Sequence, residues 1–417
     1  MGDPARDLEQ WIPRLIAVWR RHRKGGKAQP QGRHQRGRFE EEDLPGGNLT
    51  NDELRVVGAG VKQLSMGLTR DRALAGARYM DDPKLLGAYL LFYWPVSYAQ
   101  ARSTLSELTS RPRSVMDLGS GPGPLAFAAL DAGATSVQAA DRSKPALDLA
   151  KALATEAGEG LATREWSPEK PLPDGKYDLI TMGHVVNELF NGQIAPRAQL
   201  LEKVLERVNA NGSLVVIEPA LRDTSRALLQ VRDALVSQGY AVRAPCLFRG
   251  NCPALIKESD WCHAERSWRM PGLVEDLART AGLHKESLKM SYLVLAPKGE
   301  AWATPPPGTL FRIVSEPLEG KGRRRFMACG PDGRVGLAMQ EKHESETNRL
   351  FFKIARGDVI RITDTEERGD GRALTEKSKV EVVASAGRPV VSPSPRPSPP
   401  RGEGGTATRP APGVLPR

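Results

Sequence analysis

The chain has 417 residues, 40% of them apolar, and a formal charge of +10. That length exceeds one small domain, and the apolar share is enough for buried cores. No apolar run approaches the roughly 18 residues of a membrane span, which excludes a helical membrane protein. Trp11 to Trp19 is apolar, but Pro13 and Arg14 interrupt it and no cleavage site follows, so a secretory signal is not expected. These features predict a cytoplasmic protein with reduced thiols, in which the four cysteines point to metal before disulfide.

The basic excess implies a polyanionic partner. Arg20, Arg21, Arg23, Lys24, Lys27, Arg33, Arg36 and Arg38 come with no acid between them and are interleaved with glycine. That pattern predicts a flexible basic arm that would contact phosphates with little sequence preference and strong salt dependence.

Residues 6–24 have the pattern of a short amphipathic helix before the arm. A helix is predicted next, capped by Thr50 or Asn51, with Leu54, Val57, Val61 and Leu64 at helical spacing. A second helix is predicted from Pro83 to Leu108. From Arg111 strands and helices alternate. Val115–Leu118, Val137–Ala140, Tyr177–Met182 and Ser213–Ile217 read as strands. Leu125–Ala132, Pro145–Ala157 and Arg197–Val208 read as helices. This order predicts a parallel, doubly wound α/β sheet. A cysteine-rich insert follows, and Pro305 to Gly308 marks a linker. Leu310–Val314, Arg325–Ala328, Val335–Met339, Leu350–Ile354 and Val359–Thr363 read as strands of a small, OB-like β-barrel. The tail from Ala386 holds nine prolines and no aromatic residue, so it is expected to be disordered. The expected segments are a basic arm (1–49), a helical region (50–110), a Rossmann-like domain with the insert (111–304), a small β domain (305–385) and the tail (386–417).

Asp117, Gly119, Gly121 and Gly123 form a D-x-G-x-G-x-G loop between the first predicted strand and helix. Glycines there let the backbone approach a cofactor closely. Asp141 ends the next strand, 18 residues past Gly123, where a carboxylate can accept both ribose hydroxyls. The nucleoside cofactor is NAD or S-adenosylmethionine. Asp117 favours the latter, because an acid would repel a pyrophosphate but can pair with a cationic amino-acid end. His184, Asn187 and Glu188, after the fourth strand, are the catalytic candidates. The Asn/Asp-Pro-Pro-aromatic motif of many amino-group methyltransferases is absent. Pro245-Cys246 could supply a nucleophile as in cytosine-C5 methyltransferases, but it follows the wrong strand. Trp166 could stack on adenine or pack in the core.

Cys246, Cys252 and Cys262 follow the spacing C-x5-C-x9-C, and 66 residues separate Cys262 from Cys329. Zinc sites usually show tight C-x2-C pairs. Longer, loop-borne spacing suits an iron–sulfur cluster, with zinc as the alternative and His263 as a substitute ligand or hydrogen-bond donor. Unconnected buried thiols are the remaining reading.

The glycine loop, Gly183-His184-Val185-Val186-Asn187-Glu188-Leu189, Ile217-Glu218-Pro219, Pro245-Cys246, Cys252-Pro253 and Asp260-Trp261-Cys262-His263 occur in that order. Together they resemble the ribosomal small-subunit methyltransferase-like family, the Rsm twenty-two group, related to methyltransferase-like protein seventeen. The similarity covers roughly residues 50–370. It implies a Rossmann-like S-adenosylmethionine methyltransferase fold and association with the small ribosomal subunit or its rRNA. It implies a [4Fe–4S] cluster on Cys246, Cys252, Cys262 and Cys329. It also implies an S-adenosylmethionine site from Asp117, Gly119, Gly121, Gly123 and Asp141. A monomeric bacterial member is expected, acting as an rRNA methyltransferase or, alternatively, as a non-catalytic assembly factor that binds rRNA and uses the cluster structurally.

Overall fold

The computed structural model describes residues 4–23, 47–300 and 310–385. The arm beyond residue 23, the proline linker and the tail from residue 386 lie outside the described residues.

Helix α1 (Pro4–Arg23) buries Leu8, Trp11, Leu15 and Val18, spaced three and four residues apart, along one stripe. Its first basic residues do not behave as part of a free arm. Arg20 pairs with Glu53 at 2.8 Å, and Arg21 pairs with Glu156. Helix α2 (Asn51–Ser65) opens with a capping box. Glu53 N–H donates to Thr50 Oγ1 at 3.3 Å, and Thr50 N–H donates to Glu53 Oε2 at 3.0 Å. The stretch expected as one helix after Pro83 is two, α3 (Pro83–Ala88) and α4 (Trp94–Leu105), joined by a π-helical turn at Tyr89–Tyr93. Pro95 explains the change: it lacks an N–H and crowds the carbonyl of Leu91, and a wider turn relieves both.

The sheet that follows is built from β1 (Ser114–Leu118), α5 (Pro124–Asp131), β2 (Ser136–Asp141), α6 (Lys144–Ala157), β3 (Ala162–Glu165), β4 (Tyr177–Gly183), α7 (Ile194–Leu205) and β5 (Val208–Pro219). It continues through α8 (Arg222–Ser237), β6 (Val242–Ala244), β7 (Ala264–Ser267), α9 (Gly272–Ala281) and β8 (Ser287–Leu295). The strand order is β3-β2-β1-β4-β5-β8-β6, with β7 also paired to β8. The first five strands are parallel, while β8 runs antiparallel to β5, β6 and β7. This is a Rossmann-like α/β unit. Helices cover both faces, so strands such as Leu214-Val215-Val216-Ile217 are apolar on both sides. One face packs on Leu125, Phe127, Leu147 and Leu153. The other packs on Leu201, Val204, Leu228 and Leu235.

The last unit contains β9 (Leu310–Ile313), β10 (Leu318–Gly320), β11 (Arg323–Gly330), β12 (Gly333–Gln340), β13 (Val359–Arg368) and β14 (Gly371–Ala384). The pairings β9–β11, β11–β12, β12–β14, β14–β13 and β13–β9 run in a ring. Of these, only β12–β14 is parallel. The expected strand at Leu350–Ile354 is instead a 3-10 turn at Arg349–Phe352. Its Phe351 is fully buried and meets Phe326 edge-on at 5.3 Å, so the segment closes one end of the core rather than extending the sheet.

Candidate functional site

Strand order reverses between β1 and β4, and there the loops at the strand ends leave a crevice. A cavity of about 820 Å³ opens at that point, lined by Gly119, Asp141, Trp166, His184 and Glu188. Two loop glycines require their missing side chains. Gly119 has φ +71, and a Cβ there would lie 2.6 Å from Val185 Cγ2. Gly121 has φ +52, and a Cβ would lie 2.9 Å from Met80 Cε. Gly123 also has positive φ and precedes the first turn of α5.

Asp141 accepts hydrogen bonds from Gly121 N–H and Ser143 N–H, both at 2.8 Å. It thereby fixes the glycine loop while facing the cavity. Burial raises its carboxyl above the usual carboxylate range. Asp117 lies behind the loop rather than on the cavity wall. Its oxygens accept from Thr181 Oγ1 at 2.7 Å and from Ala126 N–H at 3.1 Å. Burial pushes it up to about 7 against those two hydrogen bonds. Trp166 serves the core as well as the cavity wall, and its Nε1–H donates to Pro171 O at 3.2 Å.

The three catalytic candidates occupy different places. His184 reaches the cavity wall with φ +60, and its Nε2 lies 2.9 Å from Gln100 Oε1. Burial, with Lys285 nearby, holds it down to about 4, so it is neutral at ordinary pH. Asn187 is off the cavity wall and organises the backbone. Its Nδ2 donates to Glu218 Oε2 at 2.5 Å, and its Oδ1 accepts from Arg72 at 2.6 Å. Glu188 faces the cavity, and burial pushes it up to about 7. Among the three it is the group placed to exchange a proton near neutrality. Behind it, burial pushes Glu218 up to about 8.

Sequence reading gave no role to the segment between α2 and α3, yet that segment closes the cavity. Gly76 N–H donates to Glu188 Oε2 at 3.1 Å, and Arg142 Nη2 donates to Gly76 O at 2.9 Å. Tyr79 and Met80 complete the wall. Periodicity carries no signal for such a strap, because its contacts are to the ends of β2 and β4.

The four cysteines meet elsewhere. None is in a disulfide, and all four line a second cavity of about 950 Å³ between the Rossmann-like unit and the β unit. Cys246 therefore faces its fellow thiols rather than the cofactor crevice. Burial, followed by the neighbouring thiols, pushes Cys252 up to about 12. Burial pushes Cys262 up to about 11, with Cys246 adding to it. Five arginines share this wall: Arg232, Arg266, Arg312, Arg334 and Arg356. Each has a buried Nε–H without a hydrogen-bond partner. Among the described residues no group of three or more His, Cys, Asp or Glu stands gathered for a metal ion. The thiols are spread around the wall instead. His263 is engaged otherwise, its Nδ1 lying 3.2 Å from Arg356 Nη2.

A family model described as "Mitochondrial small ribosomal subunit Rsm22" matches residues 84–361. No curated protein matches the chain. Among solved structures the chain is similar to the ribosomal protein L11 methylase from Lactobacillus delbrueckii subsp. bulgaricus, at 19% identity over 48% of this chain and 79% of that one, with a TM-score of 0.32. It is similar to the 16S rRNA methylase RmtB at 12% identity, over 61% of this chain and 77% of that one, with a TM-score of 0.33. It is also similar to a methyltransferase from Pyrococcus furiosus at 11% identity, over 48% and 82% of the two chains, with a TM-score of 0.32.

Proposed function

The chain belongs to the Rsm22 family, and from that membership we propose that it is an S-adenosylmethionine-dependent methyltransferase of the small ribosomal subunit or its rRNA. The observation that carries this is the cavity at the sheet's switch point. There Gly119 leaves the backbone open, Asp141 offers a carboxylate to a ribose, and Glu188 offers a proton acceptor. Asp117 would act through the loop, holding the first turn of α5 rather than touching the cofactor. S-adenosylmethionine would supply the methyl group. This chain's residues would bind the nucleoside, exclude water beneath the 71–82 strap and take up a proton at Glu188. The test pairs cofactor titration by calorimetry with transfer of labelled methyl from S-adenosylmethionine to small-subunit particles. Asp141→Ala should lose cofactor binding and transfer together. Transfer undiminished in that variant would overturn the reading.

A non-catalytic assembly factor is the second reading. It is favoured by His184 and Asn187, which are both held in hydrogen bonds within the protein. If particles mature normally with Asp141→Ala but fail with Cys252→Ser, that reading replaces the first.

We further propose that the four thiols hold a structural iron–sulfur cluster rather than a lone zinc ion, drawing together from their spread places on the wall. The cavity has room for a group larger than one ion. The five arginines line it with unpaired Nε–H donors, which suits a cluster whose thiolate ligands bring net negative charge. Cys246, Cys252, Cys262 and Cys329 would be the ligands, tying 246–262 to the β unit. The ring of strand pairings supports reading that unit as an OB-like barrel. Among the described residues no helix is long and apolar enough to cross a membrane. We place the protein in the cytoplasm, as a monomer with reduced thiols.

A further inference from the structure

The outer face of the β unit presents a groove with a bare floor and basic walls. Alternation along β11, β12 and β14 sends Phe326, Leu337, Met339 and Leu374 into the core. The opposite alternation leaves Gly336, Ala338, Gly371 and Ala373 facing out. In register, Gly336 sits opposite Gly371, and Ala338 sits between Arg325 and Ala373. The floor residues themselves have almost no side-chain height, and the Arg325 guanidinium leans over them, its Nε 3.5 Å from where a Cβ on Gly336 would stand. Arg323 and Arg325 on β11 form one wall, both exposed. Arg368, at the tight β13–β14 turn, forms the other, while Arg372 lies at the rim and turns toward Phe311. The groove measures about 730 Å³, and the one carboxylate lining it is Asp370. Arg368 is held by Glu366 at 3.2 Å, and Arg372 lies over the Phe311 ring at 5.4 Å.

From this arrangement we infer that the groove holds the phosphodiester backbone of a single RNA strand. The identity of the polyanion rests on the ribosomal reading above, whereas the site itself rests on the groove. Arg323 and Arg325 are two residues apart on a strand, about 7 Å, a repeat that suits successive charges of a polymer rather than one phosphoryl group. The opposing wall, Arg368 on β13, stands three strands away, about 14 Å, room for a chain to lie between. The low floor lets a phosphate reach the Arg325 guanidinium that leans over it. Among the described residues no Phe, Tyr or Trp lines the groove, and its one ring is the His343 imidazole, so contact is chiefly with phosphates rather than by base stacking, and recognition is sequence-tolerant. In a five-stranded ring of this connectivity, the surface of the second and third strands and the fourth-to-fifth turn is where oligonucleotides bind. Here those elements are β11, β12 and the β13–β14 turn. The site is separate from the cofactor crevice, so it would anchor RNA while another nucleotide is presented to Glu188. Strand β11 also carries Cys329, four residues past Arg325, so the thiol cavity and the groove share one strand.

The test is fluorescence anisotropy of a labelled RNA of about 15 nucleotides on the full chain, from about 50 to about 200 mM salt. The triple variant Arg323→Ala, Arg325→Ala, Arg368→Ala should bind at least about 10-fold more weakly at the low-salt end. Its salt dependence should flatten by about two units, three lost contacts at about 0.7 each. Arg349→Ala with Arg361→Ala, exposed or half-exposed positions outside the groove, should leave the slope unchanged. S-adenosylmethionine affinity should be the same in all three proteins. An unchanged slope in the triple variant, or equal flattening in the control, overturns the groove while leaving the ribosomal reading intact. A parent chain that binds no RNA overturns both. Equal competition by inorganic polyphosphate and by RNA of the same charge overturns the assignment to RNA.

Discussion

Glu107 and Arg312 face each other across the junction of the two units: Arg312 Nη2 donates to Glu107 Oε2 at 2.9 Å, from 205 residues away in the chain. Both side chains are almost wholly buried. Arg266 Nη2 donates to the other carboxylate oxygen at 3.3 Å, and Tyr292 Oη donates to it as well. One carboxylate thus faces two guanidinium groups, and positive charge is left over beside the cysteine cavity that Arg266 and Arg312 also line. The carboxylate holds Arg312 above its ordinary value against the opposing effect of burial.

Removing that carboxylate should leave two buried cations unmatched. Glu107→Gln should cost about 3–5 kcal/mol in urea unfolding. The β unit should also become more accessible to protease, since Arg312 is one of its links to the Rossmann-like unit, beside Arg334–Asp260 and Arg356–Glu265. A variant as stable as the parent would show that Glu107 does not pin the junction.

Gly119→Ala combines two costs, a left-handed backbone and a Cβ placed 2.6 Å from Val185 Cγ2. A loss of about 1–3 kcal/mol is expected, together with at least about 10-fold weaker S-adenosylmethionine binding, about 1.4 kcal/mol. Gly282→Ala is the comparison. It shares the backbone cost at φ +69, but nothing lies within 4 Å of its Cβ. It should lower stability by about 1 kcal/mol and leave cofactor affinity untouched. Equal affinity losses in the two variants would refute a specific role for the loop.

Burial pushes the Glu218 carboxyl up to about 8, above its ordinary value of 4.5. The unfolded chain releases this proton first, so between those values the folded state binds more protons. The group's contribution to stability is therefore full below pH 4.5 and is lost as pH rises to about 8. Glu218→Gln should flatten the stability–pH curve across that window by about one proton, about 1.4 kcal/mol per pH unit. Denaturant midpoints between pH 5 and 8 measure it, and identical slopes for the two proteins would count against it.

Anaerobically purified protein should carry about four irons and four sulfides per chain, with a visible band bleached by dithionite. Cys252→Ser should reduce both contents, and chelation should lower the melting temperature through the β unit. One zinc without sulfide would retain the four-thiol site and remove the cluster.

Much of the fold was legible because local rules and tertiary packing agree. The Thr50 cap, the apolar strands up to Ile217 and the glycine loop with Asp141 are all short-range patterns. They stand where the sequence places them. Between Ile217 and Leu310 the local patterns predict no elements, whereas Leu310–Val314, Arg325–Ala328, Val335–Met339 and Val359–Thr363 stand as β9, β11, β12 and β13. Helices α8 and α9 and strand β8 were hidden by the prominence of the cysteines, and β8 enters the sheet antiparallel, outside the βαβ rhythm. At Leu350–Ile354 an apolar run reads as a strand, although its Phe351 closes one end of the β unit's core. Short runs of that kind carry no period that separates the two.

The residue types at the two candidate sites were set by the sequence alone: three glycines and two aspartates at one, four thiols at the other. Their spacing along the chain made that visible. Only the tertiary structure decided what each group faces. It turned Asp117, near the end of β1, behind the loop and left Glu188, in the turn after β4, at the cavity. It paired Arg20 and Arg21 with carboxylates, while gathering Arg323, Arg325, Arg368 and Arg372 into one groove from parts of the chain more than 40 residues apart. The reason is physical. Burial and charge pairing depend on neighbours brought together by packing, and a linear pattern records which groups exist but not which of them meet.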